Sequence, residues 1–175
     1  IPSSVTSIGG SAFDGCSGLT SITISEGVTS IGESALDNCR SLMSVTIPES
    51  VTSIGNSAFA ECSGLTSIIV ETGNSVYDSR DNCNAIVRTS DNTLISGCKN
   101  SIIPSSVVSI GSDAFRYCGL KMLIVGRETP PSVINEGYHS SFYGDILNNA
   151  TLFVPKGCKA AYKDAELWRD FGDIV

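Results

Sequence analysis

The sequence predicts a repeat solenoid, mostly β with short helical or 3-10 turns. Three observations predict it: an internal 23-residue period, a strand-like alternation inside each copy, and a composition that is 41% hydrophobic and only 17% charged. That composition is too apolar for a disordered chain, and 175 residues suffice for one domain with a sizeable core. The period is the strongest signal. Residues 1–23 read IPSSVTSIGGSAFDGCSGLTSIT, residues 24–46 read ISEGVTSIGESALDNCRSLMSVT, and residues 47–69 read IPESVTSIGNSAFAECSGLTSII. A fourth copy starts at Ile103 as IPSSVVSIGSDAFRYCGLKMLIV, one residue shorter after its cysteine.

The recurring apolar positions define each element of a copy. Leu19, Ile22 and Ile24 form an L-x-x-I-x-I run, followed by Val28, Ile31, Ala35, Leu36 and Cys39 before Leu42 starts again. Ile22 and Ile24 alternate with Ser21 and Thr23, the period of a strand with one dry and one wet face. The Val-x-x-Ile-Gly segment reads as a second short extended piece, with Gly9, Gly32, Gly55 and Gly111 placed where the coil turns sharply. The Ser-Ala-Phe segment leaves room for one helical turn at most. No copy can bury its apolar side alone, but stacked copies can.

The Ile-Gly-x-x-Ala-Phe-x-x-Cys turn in each copy resembles the 23-residue BspA-like leucine-rich repeat proteins, and the resemblance covers essentially the whole chain. It extends to the segments VYDSRDNCNAIVRTSDNTLISGCKNSIIP and TLFVPKGCKAAYKDAELWRDF, both of which recur in that family. Departures are small: Leu36 stands in place of the Phe, and the fourth copy lacks one residue. The resemblance implies a leucine-rich-repeat solenoid, secreted or displayed on a bacterial surface, that adheres to proteins or glycans, host extracellular-matrix glycoproteins among them. It also implies an anaerobic habitat, in which reduced thiols on a surface protein are unremarkable.

The solenoid is expected over residues 1–126, with copies starting at 1, 24, 47 and 103 and an insertion over 70–102. Within the insertion, residues 84–89 and 94–96 read as a hairpin across the polar link Ser90-Asp91-Asn92-Thr93. Thr129-Pro130-Pro131 opens an irregular stretch, and residues 127–175 form a C-terminal strand–helix cap. Residues 151–154 read as its strand. Cys158, Ala161, Tyr162, Ala165 and Trp168 fall at helical spacing over 156–168, and that helix, with Phe171 and Ile174, seals the last repeat. The chain opens on Ile1-Pro2 at a repeat boundary, with no initiator Met, signal peptide or N-terminal cap. It therefore reads as part of a longer chain, and its uncapped first coil is a candidate for self-association.

The net charge of −7 resides in the first part: eight acids and one base, Arg40, up to Asp78, against ten of each from Ser79 onward. An acidic chain disfavours nucleic acid or an anionic membrane as partner, and no stretch approaches the roughly 20 apolar residues of a membrane span. The acids form no calcium-loop pattern. Cys16, Cys39, Cys62 and Cys118 share one phase of the repeat and read as a ladder of free core thiols, whereas zinc would need clustered spacings. Cys83 and Cys98 flank the hairpin, and the sequence leaves a disulfide between them open. His139, the lone histidine, lies in a polar stretch and reads as a loop residue rather than a catalytic base. No phosphate-loop, dinucleotide, H-E-x-x-H or G-x-S-x-G motif is present, so neither an enzyme nor a cofactor is expected. Asn149-Ala150-Thr151 matches the N-glycosylation pattern, which matters only in a eukaryotic secretory route.

Alternation places Ser21, Thr23, Ser44, Thr46, Ser67, Ile69, Met122 and Ile124 outward on a continuous parallel sheet lining the inner curve. The first two copies present hydroxyls there, and the later ones turn apolar. Either Ile69, Met122 and Ile124 are covered by the insertion or cap, or they form a contact patch for a protein or glycan. The expected function is a non-enzymatic binding module. A structural spacer presenting another domain is the alternative.

Overall fold

The computed structural model describes residues 1–135, 140–143 and 146–175, so His139 lies outside the described residues. Each 23-residue copy forms one coil, and successive coils stack through three columns of main-chain hydrogen bonds. In the first column, Ser7–Ile8, Ser30–Ile31 and Ser53–Ile54 pair in parallel, each residue opposite its equivalent one period away. In the second, Ser44–Ile47 pairs with Ser67–Val70 in the same register. Residues 21–24, one period before Ser44–Ile47, adopt no regular strand.

The third column is built from turns. Ser34, Leu36 and Asn38 donate their amides to Asn56, Ala58 and Ala60 of the next coil at 3.0, 2.9 and 2.9 Å. Within the same turn, Ala35 bonds Gly32 and Asp37 bonds Ser34, the i→i+3 closure of a 3-10 turn. The tight path puts Ser34, Asn38, Ser57, Glu61, Asp113 and Tyr117 in left-handed backbone, at roughly 1–2 kcal/mol for residues other than Gly, Asn or Asp.

The abundance of Ser and Thr has a structural cause that the sequence did not disclose. Thr29, Thr52 and Thr66 Oγ1 donate to the carbonyls of Thr6, Thr29 and Met43 at 3.1, 3.4 and 2.9 Å, each one period back. The repeat glycines also act differently from expectation. A Cβ on Gly32 or Gly55 would lie 2.5 Å from Gly10 N or 2.4 Å from Glu33 N, so close approach of neighbouring coils, not a left-handed turn, excludes a side chain.

The insertion forms the expected hairpin. Ala85–Arg88 and Thr93–Gly97 pair antiparallel, with Thr93 already opposite Arg88. Thr93–Gly97 then pairs in parallel with Ser109–Ile110, standing where a coil's short strand would. The hairpin buries both faces, as period-two alternation allows. Ala85, Val87 and Leu94 join a core running to the cap, while Ile86 and Cys98 join the core of the first three copies. Gly97 lets the Phe115 ring approach to where its Cβ would be.

The sequence period is lost after Gly126, but backbone pairing is not. Ser132–Val133 pairs with Ser109–Ile110, Thr151–Phe153 with Met122–Val125, and Asp173–Ile174 with Thr151–Phe153. The cap helix is shorter than the expected 156–168, spanning Lys159–Asp164. Ala165 is extended and Leu167 takes φ 65°, which redirects the chain so that Trp168 enters a 3-10 turn and its Nε1 donates to Pro131 O at 2.8 Å. Phe142 packs against Phe115, Trp168 and Phe171 with ring centroids 5.6, 5.2 and 5.3 Å apart, sealing the core beneath the last coil. No described helix is long and apolar enough to cross a membrane.

All seven cysteines are free thiols. Cys39 and Cys62 donate to Phe13 O and Leu36 O as two rungs of the expected core ladder, but Cys118 is buried in the other core and Cys16, expected among the core thiols, is exposed. Burial pushes the Cys39 thiol up to about 11 and those of Cys62 and Cys118 up to about 12. Cys83 and Cys98 are both buried, and each faces a different core. Thiol titration of the native protein is expected to modify Cys16 and Cys158 alone, with the other five reacting only in denaturant. Gly55→Ala is expected to cost about 1–3 kcal/mol in urea unfolding, whereas Gly9→Ala at the same repeat position, with nothing within 4 Å, is expected to be neutral.

Candidate functional site: the outward sheet face

Alternation along the longer strands decides which side chains face outward. Val45, Ile47, Ile68, Val70, Leu123 and Val125 are buried, and the residues between them point away from the core. Of the residues assigned from sequence, Ser21, Thr23, Ser44, Thr46, Ile69, Met122 and Ile124 are exposed, and Ser67 is half-buried. Neither the hairpin nor the cap covers the apolar members: Ile69, Met122 and Ile124 remain 51%, 49% and 37% exposed.

The structure does not bring all eight together. The expected continuous sheet is divided, because Ser44–Ile47 and Ser67–Val70 form one two-stranded sheet while Met122–Val125 belongs to a separate four-stranded one. The insertion causes the break. The Val70 amide donates to Ser79 Oγ at 3.0 Å, and the Ile102 amide donates to Cys83 O at 2.9 Å, so residues 79–83 occupy the edge between the two sheets. Arg80–Asn82 makes a 3-10 turn there, with Asp81 and Asn82 in left-handed backbone. Ile69 therefore pairs with Thr46, not with an apolar neighbour.

Beyond the break lies an apolar row that the sequence reading missed. Ile124 pairs directly with Ile102 on one side and Phe153 on the other, and all three are exposed. Met122, two residues from Ile124 on the same face, pairs with Thr151. The signal was present: Ile103 and Leu152 occupy inward positions, which puts Ile102 and Phe153 outward by alternation. Loss of the 23-residue period around both had hidden it.

Charge gathers on the turn column instead. Glu61 accepts ion pairs from Arg116 at 3.3 Å and Arg40 at 3.8 Å. Burial raises the Asp37 carboxyl from 3.8 to about 6, helped by Glu61 and Asp14 and opposed by Arg116. Its Oδ1 is buried with no hydrogen-bond partner among the described residues. Among the described residues no group of three or more His, Cys, Asp or Glu is placed to hold a metal ion. At the opposite end, the half-buried Phe13, Leu19 and Ile22 line a hollow of about 580 Å³, whereas the equivalent Leu36, Leu42 and Val45 of the second coil are buried.

Parallel coils of 23 residues, stacked in register with an inward apolar ladder, define a leucine-rich-repeat solenoid. The sequence profile of the BspA type leucine rich repeat region matches residues 1–87 and 91–165 in six copies, and the chain belongs to that family. Among solved structures it is similar to a leucine rich cell surface protein from Faecalibacterium prausnitzii, with 30% identity and a TM-score of 0.62 over 76% of this chain. It is also similar to the pneumococcal vaccine antigen PcpA, with 26% identity and a TM-score of 0.62 over 71% of this chain. The matches span 36% and 32% of those two proteins, about a third of their length. No curated protein matches the chain.

A raised carboxyl pKa means that folding favours the protonated form, so its contribution is present below the unfolded value and lost as pH rises through about 6. Asp37→Asn is accordingly expected to raise stability near neutral pH by about 1 kcal/mol, allowing for solvent screening of a partly exposed group. Near pH 3.5 the variant and parent should melt alike; equal melting temperatures at both pH values would contradict this account.

Proposed function

We propose that the chain is a non-enzymatic binding module of a secreted or surface-displayed protein, and that it holds its partner on the outward sheet face. The observation that carries this reading is the uncovered row of Ile102, Ile124 and Phe153 with Met122 beside it. Single exposed apolar side chains are ordinary, but several on adjacent hydrogen-bonded strands offer a contiguous surface whose burial is favourable. Flat apolar contact of this kind suits a protein surface better than a glycan. Placement outside the cell is supported by the similarity to a protein described as a cell surface protein.

A spacer role is the second reading, supported by the in-register stacking of the first three copies and by the small share of its longer relatives that the chain spans. One experiment separates the two. The immobilised protein is screened against extracellular-matrix proteins, mucins and printed glycans beside a Met122→Glu, Ile124→Glu variant whose circular dichroism matches the parent. Specific binding to a protein, weakened at least about tenfold in the variant, is the expected result. Binding that survives the substitutions moves the site elsewhere, and no binding to any ligand favours the spacer.

A further inference from the structure

The turn column carries a second surface, and its residues come from four layers of the stack. The Glu61 amide donates to Arg116 O and the Tyr117 amide to Tyr143 O, so Glu61, Tyr117 and Tyr143 stand side by side along the stack. Together with Arg40, Ser63 and Arg116 they line an open groove of about 630 Å³. The Tyr117 and Tyr143 rings meet edge to face with centroids 5.5 Å apart, and both remain exposed. The Arg116 guanidinium lies 6.0 Å from the Tyr117 centroid and 5.5 Å from that of Tyr143.

The repeat makes these residues conspicuous. The turn position held by Glu61 and Tyr117 is Gly15 in the first copy and Asn38 in the second, and all four have positive φ. Gly and Asn adopt that backbone readily; Glu and Tyr do so at greater cost. Both of the unfavourable residues line this groove.

From this arrangement we propose that the groove binds one neutral pyranose ring of a glycan. Aromatic faces attract the C–H side of a sugar ring, because the ring face is electron-rich and the C–H edge electron-poor. Around the rings, Glu61 supplies acceptors, Arg40 supplies donors and Ser63 supplies a hydroxyl, matching a ligand whose rim alternates donors and acceptors. The charges are already balanced: Arg40 and Arg116 face Glu61, and Arg116 also faces Asp113 at 3.7 Å, so an anionic sugar or phosphate would have to displace a carboxylate. A purely apolar protein side chain would strip water from these polar groups and leave them unpaired. The site lies on the turn column, not the sheet face, and does not depend on what the sheet face binds.

The test uses saturation-transfer NMR with the methyl glycosides of glucose, galactose, mannose and N-acetylglucosamine, followed by an array of neutral and sialylated oligosaccharides. At least one neutral glycoside is expected to receive saturation. Its affinity should fall at least about tenfold in Tyr117→Ala and in Tyr143→Ala and stay unchanged in Ile124→Glu. Should either alanine variant fail to fold, Tyr143→Phe retains the ring and is expected to bind, while Glu61→Gln is expected to weaken binding. No transfer to any glycoside, preference for sialylated sugars, or unchanged affinity in the tyrosine and Glu61 variants would overturn the proposal. Loss in Ile124→Glu would overturn it too, by placing the sugar on the sheet face.

Discussion

Everything in this molecule follows from main-chain hydrogen bonding between successive coils. A parallel ladder sets neighbouring strands about 4.8 Å apart, and bonds of this kind, with those of the turn column, hold successive coils together. At that spacing any inward side chain rests on its own counterpart, so each copy must bury the same shapes as the one before it. The ladder of Cys39 and Cys62 is one result, and the absence of a Cβ at Gly32 and Gly55 is another. The hydroxyls of Thr29 and Thr52 add a side-chain bond in the same direction, reaching back to the preceding carbonyl. Sequence repetition is thus the chemical form of a spacing requirement.

The insertion shows what happens where the ladder is interrupted. An exposed parallel edge would leave amides and carbonyls unpaired, which is costly once they are buried. Side chains from the insertion take them up instead: Tyr77 Oη accepts from the Ile54 amide, Ser79 Oγ from the Val70 amide, and Asn74 Nδ2 donates to Pro48 O and Val51 O. The same substitution divides the outward face, leaving hydroxyl-bearing strands on one side of residues 79–83 and the apolar row on the other. Continuity of the backbone columns is therefore also what shapes the candidate binding surface.

The repeat made the coil, the hairpin and the outward positions legible, because period-two alternation and a fixed register are local properties of the chain. Ile102 and Phe153 obey the same alternation but lie where the 23-residue period fails, so they were overlooked. The break at residues 79–83 could not be read, since it depends on bonds from Val70 and Ile102 to an irregular segment. The pairing of Tyr117 with Tyr143 was equally hidden: one lies in a repeat and the other in the aperiodic stretch that continues the stack. The cap helix looked longer than it is because Trp168 falls at helical spacing, whereas its indole hydrogen bond to Pro131 draws it into a separate turn.

The hairpin also governs how the protein comes apart. Its two faces serve different cores, one made by the first three copies and the other by the fourth copy and the cap. Interactions in a stack of coils reach only nearest neighbours, so cooperativity is transmitted through whatever layer joins them. Here that layer is a two-stranded antiparallel ribbon with a register irregularity between Ile86 and Val87. Damage to the aromatic cap weakens one half directly and the other through this seam and through the turn-column bonds of Ser57 and Glu61 to Asp113 and Arg116.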